Sequence, residues 1–237
     1  SSHPSWNEIF EFPVEVPESQ EIQLMCYDKD TYGDDDFLGQ ARMNVKSVLD
    51  EDAIDSWITL EGVETGKVRL RLMWVPTTMD ANQYKATSGS NYSRAVLMVF
   101  LDSCSVRTDD KDVPNVFVEI SASNDKRKTK EIQSRDPKFQ EGFALLLKKI
   151  EYEYLVLTFR DADEDDDVIA TLRLSIQKIR DTEDMYQKLE TFNLPDDLGT
   201  VRLAARLAYL DKPPATFKDV GAGGLMLQKA SKVAKGL

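Results

Sequence analysis

A chain of 237 residues has room for one large domain or two ordinary ones, and 41% apolar with 30% charged residues describe a folded globular protein rather than a disordered one. The net charge of −12 argues against nucleic acid as the main partner, although a membrane surface stays open, because bound cations and local basic patches reverse the sign locally. No run of about 18 apolar residues exists, so no membrane-spanning helix is expected. The single histidine, His3, and the lack of a Cys/His cluster or a plausible nucleophile–base pair leave almost nothing for catalysis to work with, and no enzymatic activity is expected. Cys26 and Cys104 sit in apolar strand-like runs and are expected to pack as small hydrophobes rather than to form a disulfide. The chain opens SSHPSWNE, without an initiator methionine or a leader, and reads as cut from something longer.

The first region, residues 1–76, reads as β throughout. Trp6 to Val16 alternates and ends at the Pro17-Glu18-Ser19 turn; Glu21 to Tyr27 and Phe37 to Val45 are further strands. Between those two lie five aspartates within nine residues, in the stretch CYDKDTYGDDDFLG. Carboxylates that close repel one another unless a cation or water separates them. Asp28 and Asp30 leave a strand end two residues apart, Asp36 returns from the far side, and Gly33 permits a tight loop; such a set can converge on one hard cation, and Ca²⁺ suits it best. It is not an EF-hand loop, because that pattern's glycine and terminal glutamate are absent. Val48-Leu49 suggests a helical turn, and Trp57 to Leu60 a strand. Gly66 to Val75 alternates, with Val68, Leu70, Leu72 and Trp74 inward. Residues 77–93 lose periodicity and read as a linker.

The region 94–210 repeats the first. Trp6 and Phe139 stand 133 positions apart (139 − 6 = 133), as do Phe10 and Phe143, Asp28 and Asp161, Asp30 and Asp163, Gly66 and Gly199, Val68 and Val201. A constant offset held over roughly seventy positions makes chance similarity a poor explanation. FRDADEDDDVIA is therefore a second acidic loop. The second copy also owns an upstream part, Arg94 to Arg135, with no equivalent in the first: strands Ala95 to Asp102 and Asn115 to Ala122, and a basic strand near Lys126 to Ile132. About eight strands build the second unit and the last five of that set build the first. Half a sandwich has an open edge and an uncovered apolar face. The expected fold is all-β, two antiparallel Greek-key β-sandwiches, the first truncated at its N-terminus.

Ser5-Trp6-Asn7-Glu8 with Phe10, and Tyr27-Asp28-Lys29-Asp30 leading to Asp36-Phe37-Leu38-Gly39, resemble motifs of tandem C2 domains, the calcium-dependent lipid-binding sandwiches. GKVRLRLMWV at a domain's end is similar to the permutation of that fold with its C-terminal strand in this place. The stretches DSWITLEGVETGKVRLRLMWV, AVLMVFLDSC and TEDMYQKLETFNLP further resemble extended synaptotagmins, across residues 1 to about 210. What the resemblance implies is the end of one C2 domain (residues 1–76), a complete second one (94–210) and a linker or tail at 211–237. It also implies membership of a tethering and lipid-transfer protein with a lipid-transfer domain upstream. Its place would be the cytosolic face of the endoplasmic reticulum, at contact sites with the plasma membrane, held there peripherally. Its partners would be anionic phospholipids, phosphatidylserine and phosphoinositides among them. Any homodimer would form through regions outside this chain.

By that resemblance Asp28, Asp30 and Asp36 are calcium ligands with Asp34 auxiliary, and Tyr32 at the loop tip enters the head-group region. The family draws further aspartates from a loop between its first strands, which the first region lacks, so these ligands are expected to bind Ca²⁺ weakly in this chain. Asp161, Asp163 and Asp167 hold the matching places in the second region. There Asp112-Val113-Pro114-Asn115 departs from the family's S-D-P-Y, with Val113 at a ligand position; a loop shift bringing in Asp109, Asp110 or Asp112, and a merely solvated acidic loop, are both open readings. Lys126, Arg127, Lys128 and Lys130 stand where some C2 domains carry a strand for phosphoinositides; near an anionic leaflet each contributes about 1 kcal/mol. The plainer reading is a solvated edge kept from aggregating by lysines. The tail's LMLQKASKVAKGL reads as linker, with a basic amphipathic helix as the other reading. Regulated attachment to anionic membranes is the expected function, with calcium-independent protein–protein scaffolding as the alternative.

Overall fold

The computed structural model describes residues 3–31, 33–82, 93–108, 112–151, 153–163, 166–211 and the backbone of 225–229. They divide into two units, one of Ser1–Pro76 with Asp211–Leu237 and one of Thr77–Leu210.

In chain order the first unit has strands β1 (Glu11–Val14), β2 (Glu21–Asp28) and β3 (Asp36–Asn44), helix α1 (Val45–Glu51), then β4 (Ala53–Thr59) and β5 (Lys67–Val75). The second has β6 (Thr77–Thr78), β7 (Ala95–Val106), β8 (Asn115–Ala122), β9 (Asp125–Lys128), β10 (Ile132–Gln133), β11 (Lys138–Leu147), β12 (Tyr154–Asp161), β13 (Asp167–Ser175), helix α2 (Ile176–Arg180), β14 (Tyr186–Asn193) and β15 (Gly199–Leu210). A last strand, β16 (Leu225–Lys229), belongs to the first unit.

The second unit is a sandwich of two five-stranded sheets. One runs β10-β8-β12-β13 with β9 on β8, the other β11-β7-β15-β14 with β6 on β15, and every pairing is antiparallel. Period-two alternation explains the interior: Leu97, Val99 and Leu101 from β7 and Val201, Leu203 and Leu207 from β15 join Val118, Ile120, Leu155, Leu157 and Phe159 from the other sheet in one buried cluster. Gly199 opens β15 at φ +134°, and a Cβ there would overlap the carbonyl oxygen of Ser105 on β7, so only glycine lets those two strands meet.

The first unit repeats part of this plan. Gly66 shares the positive φ of Gly199, and Asn7 (φ 50°) shares that of Gln140 (φ 52°), again 133 positions on. Its core is small: Val14, Val45, Val48, Leu72 and Trp74, with Ile22, Met43, Leu49, Ile54 and Leu70 packed around them. Helix α1 starts where the Asn44 side chain accepts the Lys46 N–H at 2.8 Å, and it buries Val45 and Val48. Gly39 (φ +120°) lets β3 pass close to the β4–β5 turn, because a Cβ would come within 2.9 Å of Leu60 and of Val63.

Two readings of the sequence are corrected. Trp6 to Phe10 alternates as a strand does, yet β1 begins only at Glu11, and Trp6 is 60% exposed where its counterpart Phe139 is 1% exposed. The cause is a missing ladder partner: β11 pairs along β7 from Lys138 to Leu147, whereas β1 pairs with β16 only over Glu11–Val14. The tail, read as linker or amphipathic helix, contains β16, which lies parallel to both β1 and β5 between them. The rest of that tail beyond Asp211 lies outside the described residues. No helix among the described residues is long and apolar enough to cross a membrane.

Candidate functional site

In the first unit, β2 and β3 are antiparallel neighbours with a register irregularity at Cys26/Tyr27, after which Asp28 stands directly opposite Asp36. Tyr27 and Phe37 brace the pair below, edge to face at 5.6 Å between ring centroids. Two carboxylates opposite each other on a ladder repel, and the loop beyond adds Asp30 and Asp34, all four exposed. The Asp30 N–H donates to Asp35 Oδ1 at 3.3 Å across the loop. Among the described residues the carboxylates of Asp28, Asp30 and Asp36 accept no hydrogen bond and make no ion pair, and no three acidic, histidine or cysteine side chains stand close enough to form a metal cluster. The donor set is all-oxygen and open to solvent, which fits a hard cation. Tyr32 lies outside the described residues.

The second unit holds the same arrangement differently. Asp161 faces Asp167 across β12–β13. Asp161 is 9% exposed, and its Oδ1 accepts the N–H of Asn115 at 2.9 Å and that of Asp163 at 3.2 Å. The Asn115 amide donates to Asp163 Oδ1 at 3.4 Å, and its carbonyl accepts the Ala162 N–H at 2.9 Å. Asn115, at the start of β8, thus clamps the base of the loop. Sequence reading noted Asn115 only as a departure from the family's tyrosine; a short amide donor beside an aspartate-rich turn was the available signal. Arg135 adds a permanent cation nearby, donating to Thr108 O, to Thr108 Oγ1 and to Asp112 O. Asp112 is exposed, as are Asp163 and Asp167, and Val113 is 47% exposed at the position where the family has a ligand. Asp109 and Asp110 lie outside the described residues. Part of the carboxylate capacity here is already used by backbone donors, which leaves fewer lone pairs for a cation than in the first-unit loop.

The basic strand is not a field of free cations. Lys126 Nζ lies 2.6 Å from Glu119, Lys128 Nζ 2.9 Å from Glu131, Lys130 Nζ 4.0 Å from Glu141, and Arg127 pairs with Asp125. Arg160 joins the same Glu119 at 2.8 Å, and the hydrogen bonds from Lys126 and then Arg160 hold the Glu119 carboxyl below the usual range. Lys128 also sits 3.7 Å from the centroid of the buried Phe117 ring. Lys126, Lys128 and Lys130 remain exposed, so a phosphate can reach them, but it competes with a carboxylate at each.

Two sandwiches with acidic loops at matching strand ends have a counterpart among known families: the model described as "C2 domain" matches residues 1–60 and 97–194. The chain belongs to the C2 domain family. Human extended synaptotagmin-2 is 27% identical over 228 residues, covering 88% of this chain and 24% of that protein; the chain thus spans about a quarter of the relative's length. A solved structure of extended synaptotagmin 2 that holds its SMP domain and two successive C2 domains aligns at a TM-score of 0.61 and 25% identity, covering 80% of this chain and 45% of that one. A calcium-bound structure of the same two C2 domains without the SMP domain aligns at 0.61 and 24%, over 81% of this chain and 72% of that one, and shares the fold. The all-β architecture read from the sequence, and the likeness to extended synaptotagmins, are therefore right.

Proposed function

We propose that this pair of C2 units attaches a longer tethering and lipid-transfer protein to anionic phospholipid surfaces, and that Ca²⁺ acts through the first-unit loop. The observation that carries this reading is the opposed pair Asp28 and Asp36 at the end of β2–β3, with Asp30 beside them and all three carboxylates exposed and, among the described residues, without a hydrogen-bond or ion-pair partner. Without a cation these charges repel lipid phosphates. A cation held by Asp28, Asp30 and Asp36 neutralises them and leaves coordination positions for phosphate oxygens. Attachment is to phosphatidylserine and phosphoinositide surfaces where the endoplasmic reticulum meets the plasma membrane, and no catalytic step is assigned to it.

Calorimetric titration of Ca²⁺ into the chain, with phosphatidylserine vesicles present, tests the assignment. Binding heat lost in Asp28→Asn/Asp30→Asn and kept in Asp161→Asn/Asp163→Asn supports it. Heat that follows Asp161 and Asp163 instead overturns it. For the second unit a different role has its own support: Asn115 already satisfies Asp161, and each basic-strand cation has a carboxylate. Those features favour a calcium-independent protein-binding spacer there.

A further inference from the structure

Strands β4 and β14 hold the same place in the two units. Each ends its sheet, β4 beside β5 and β14 beside β15, with no strand on the outer side among the described residues. The five-stranded sheet of the second unit leaves this edge open too, so the opening belongs to the fold. The two edges are nevertheless built differently. β14 has a register irregularity between Gln187 and Glu190, with Lys188 and Leu189 exposed in it. A bulge and a charge on an edge strand keep other strands from pairing with it. β4 has no such interruption: each residue from Ala53 to Thr59 has one partner on β5. Its one charge, Asp55, is already matched by Arg69 at 2.8 Å and Arg71 at 3.1 Å. Opposite Arg69 stands Trp57, 64% exposed, whereas opposite Arg202, 133 positions on, stands Thr191.

We propose that the outer edge of β4 docks a second copy of this chain, the two β4 strands running antiparallel about a two-fold axis at Ser56. That centre pairs all seven residues of the strand: Ala53 with Thr59, Ile54 with Ile58, Asp55 with Trp57, and Ser56 with its own equivalent. A centre at Asp55 sets two carboxylates against each other, and one at Trp57 leaves Ala53 and Ile54 without strand partners. Opposite residues of an antiparallel pair share a face. On the face of Val68, Leu70 and Leu72, Ile54 of each copy meets Ile58 of the other. On the other face a row across the two copies reads Arg69, Trp57, then Asp55 and Arg71 of the second copy. The Trp57 indole N–H makes no hydrogen bond among the described residues. It comes opposite a carboxylate that accepts three hydrogen bonds from arginines and has room for about four. A seven-residue pairing is smaller than a standard protein interface, so the dimer is weak in solution and favoured where chains are concentrated, as on a vesicle.

The test is sedimentation velocity of the full chain from low to high micromolar concentration, joined to air oxidation of Ser56→Cys in a Cys26→Ser background. Opposite Cα atoms of an antiparallel ladder lie about 4.5–5.5 Å apart, within disulfide reach, so oxidation traps even a weak dimer. The expected result is a disulfide-linked dimer from Ser56→Cys and none from Thr59→Cys, because the two copies of Thr59 stand about 20 Å apart in this register. A concentration-dependent dimer of the unaltered chain is expected to weaken about tenfold or more in Trp57→Glu, which sets a second carboxylate against Asp55. If Trp57→Glu lowers the melting temperature, the two cysteine positions decide alone. The proposal is overturned by a chain that stays monomeric and forms no Ser56→Cys disulfide, by equal linkage at both cysteine positions, or by a dimer that a folded Trp57→Glu leaves unchanged. Vesicle binding that Trp57→Glu abolishes, with no disulfide at position 56 on the vesicles, gives this surface to lipid and overturns it as well.

Discussion

Replacing Glu119 and Glu131 by glutamine is expected to strengthen binding to anionic vesicles, although it adds no new basic group. Lys126 is 2.6 Å from Glu119 with its side chain 60% exposed, and Lys128 is 2.9 Å from Glu131 with its side chain 44% exposed. Each lysine is within reach of solvent, but its charge is matched by a carboxylate. A lysine near an anionic leaflet contributes about 1 kcal/mol, which is roughly fivefold in affinity; freeing two gives about 25-fold if the effects add. The cost to the fold is small at Glu131, because exposed pairs contribute about 0–1 kcal/mol; Glu119 is only 19% exposed, and there glutamine keeps an oxygen for Arg160 to donate to. The assay is co-sedimentation with phosphatidylserine vesicles in chelator, which leaves the acidic loops without cation, at low and at physiological salt. The gain is expected to shrink at higher salt. Unchanged or weaker binding by a variant with the parent's melting temperature would refute the reasoning and leave the strand as a structural edge.

Other consequences follow from packing and charge. Gly199→Ala forces a Cβ onto Ser105 and is expected to destabilise the second unit by about 3 kcal/mol or more, read as a lowered melting temperature. Burial raises the Glu153 carboxyl above its usual range, more than the hydrogen bond from Ser123 lowers it. The stability this group contributes is therefore full below the ordinary glutamate range and is lost as pH rises through the raised value, so Glu153→Gln is expected to raise the melting temperature at pH 7 and to leave it unchanged near pH 4. Burial pushes the Cys104 thiol up to about 12, so it is expected to stay silent to thiol reagents at pH 8 until denaturant is added; fast reaction of the folded chain would contradict its placement in the core. Asp28→Asn removes one of two facing charges and is expected to stabilise the cation-free chain by a few tenths of a kcal/mol, measured by urea denaturation in chelator.

Much of the fold was legible because its information is local and repeated. Alternation in Gly66 to Val75 set the inward face of β5, and the offset of 133 tied the two acidic loops together before any contact was known. The structure adds the same offset in backbone conformation, at Asn7 and Gln140 and at Gly66 and Gly199. What the sequence did not carry was pairing across distance. Asp125 and Glu131 flank the basic run, but Glu119 and Glu141, the partners of Lys126 and Lys130, come from other strands, and nothing in the run announces them. The clamp of Asn115 on Asp161 is likewise a tertiary contact spanning 46 positions. Trp6 alternated correctly and still stayed out of a strand, because a ladder needs a partner as well as a pattern. β16 was missed for the reverse reason: LMLQK is too short to declare itself, and its position follows from the gap between β1 and β5.

The central claim is that cation binding at the Asp28, Asp30 and Asp36 loop switches the chain onto anionic membranes. Its most direct test is co-sedimentation with vesicles of phosphatidylserine and phosphatidylinositol bisphosphate, with Ca²⁺ and with chelator, for the unaltered chain and for Asp28→Ala/Asp30→Ala. At millimolar Ca²⁺, which so small a ligand set requires, the account predicts a Ca²⁺-dependent fraction in the pellet that the double variant loses. Binding that is the same with Ca²⁺ and chelator, or that persists in the variant, would contradict it.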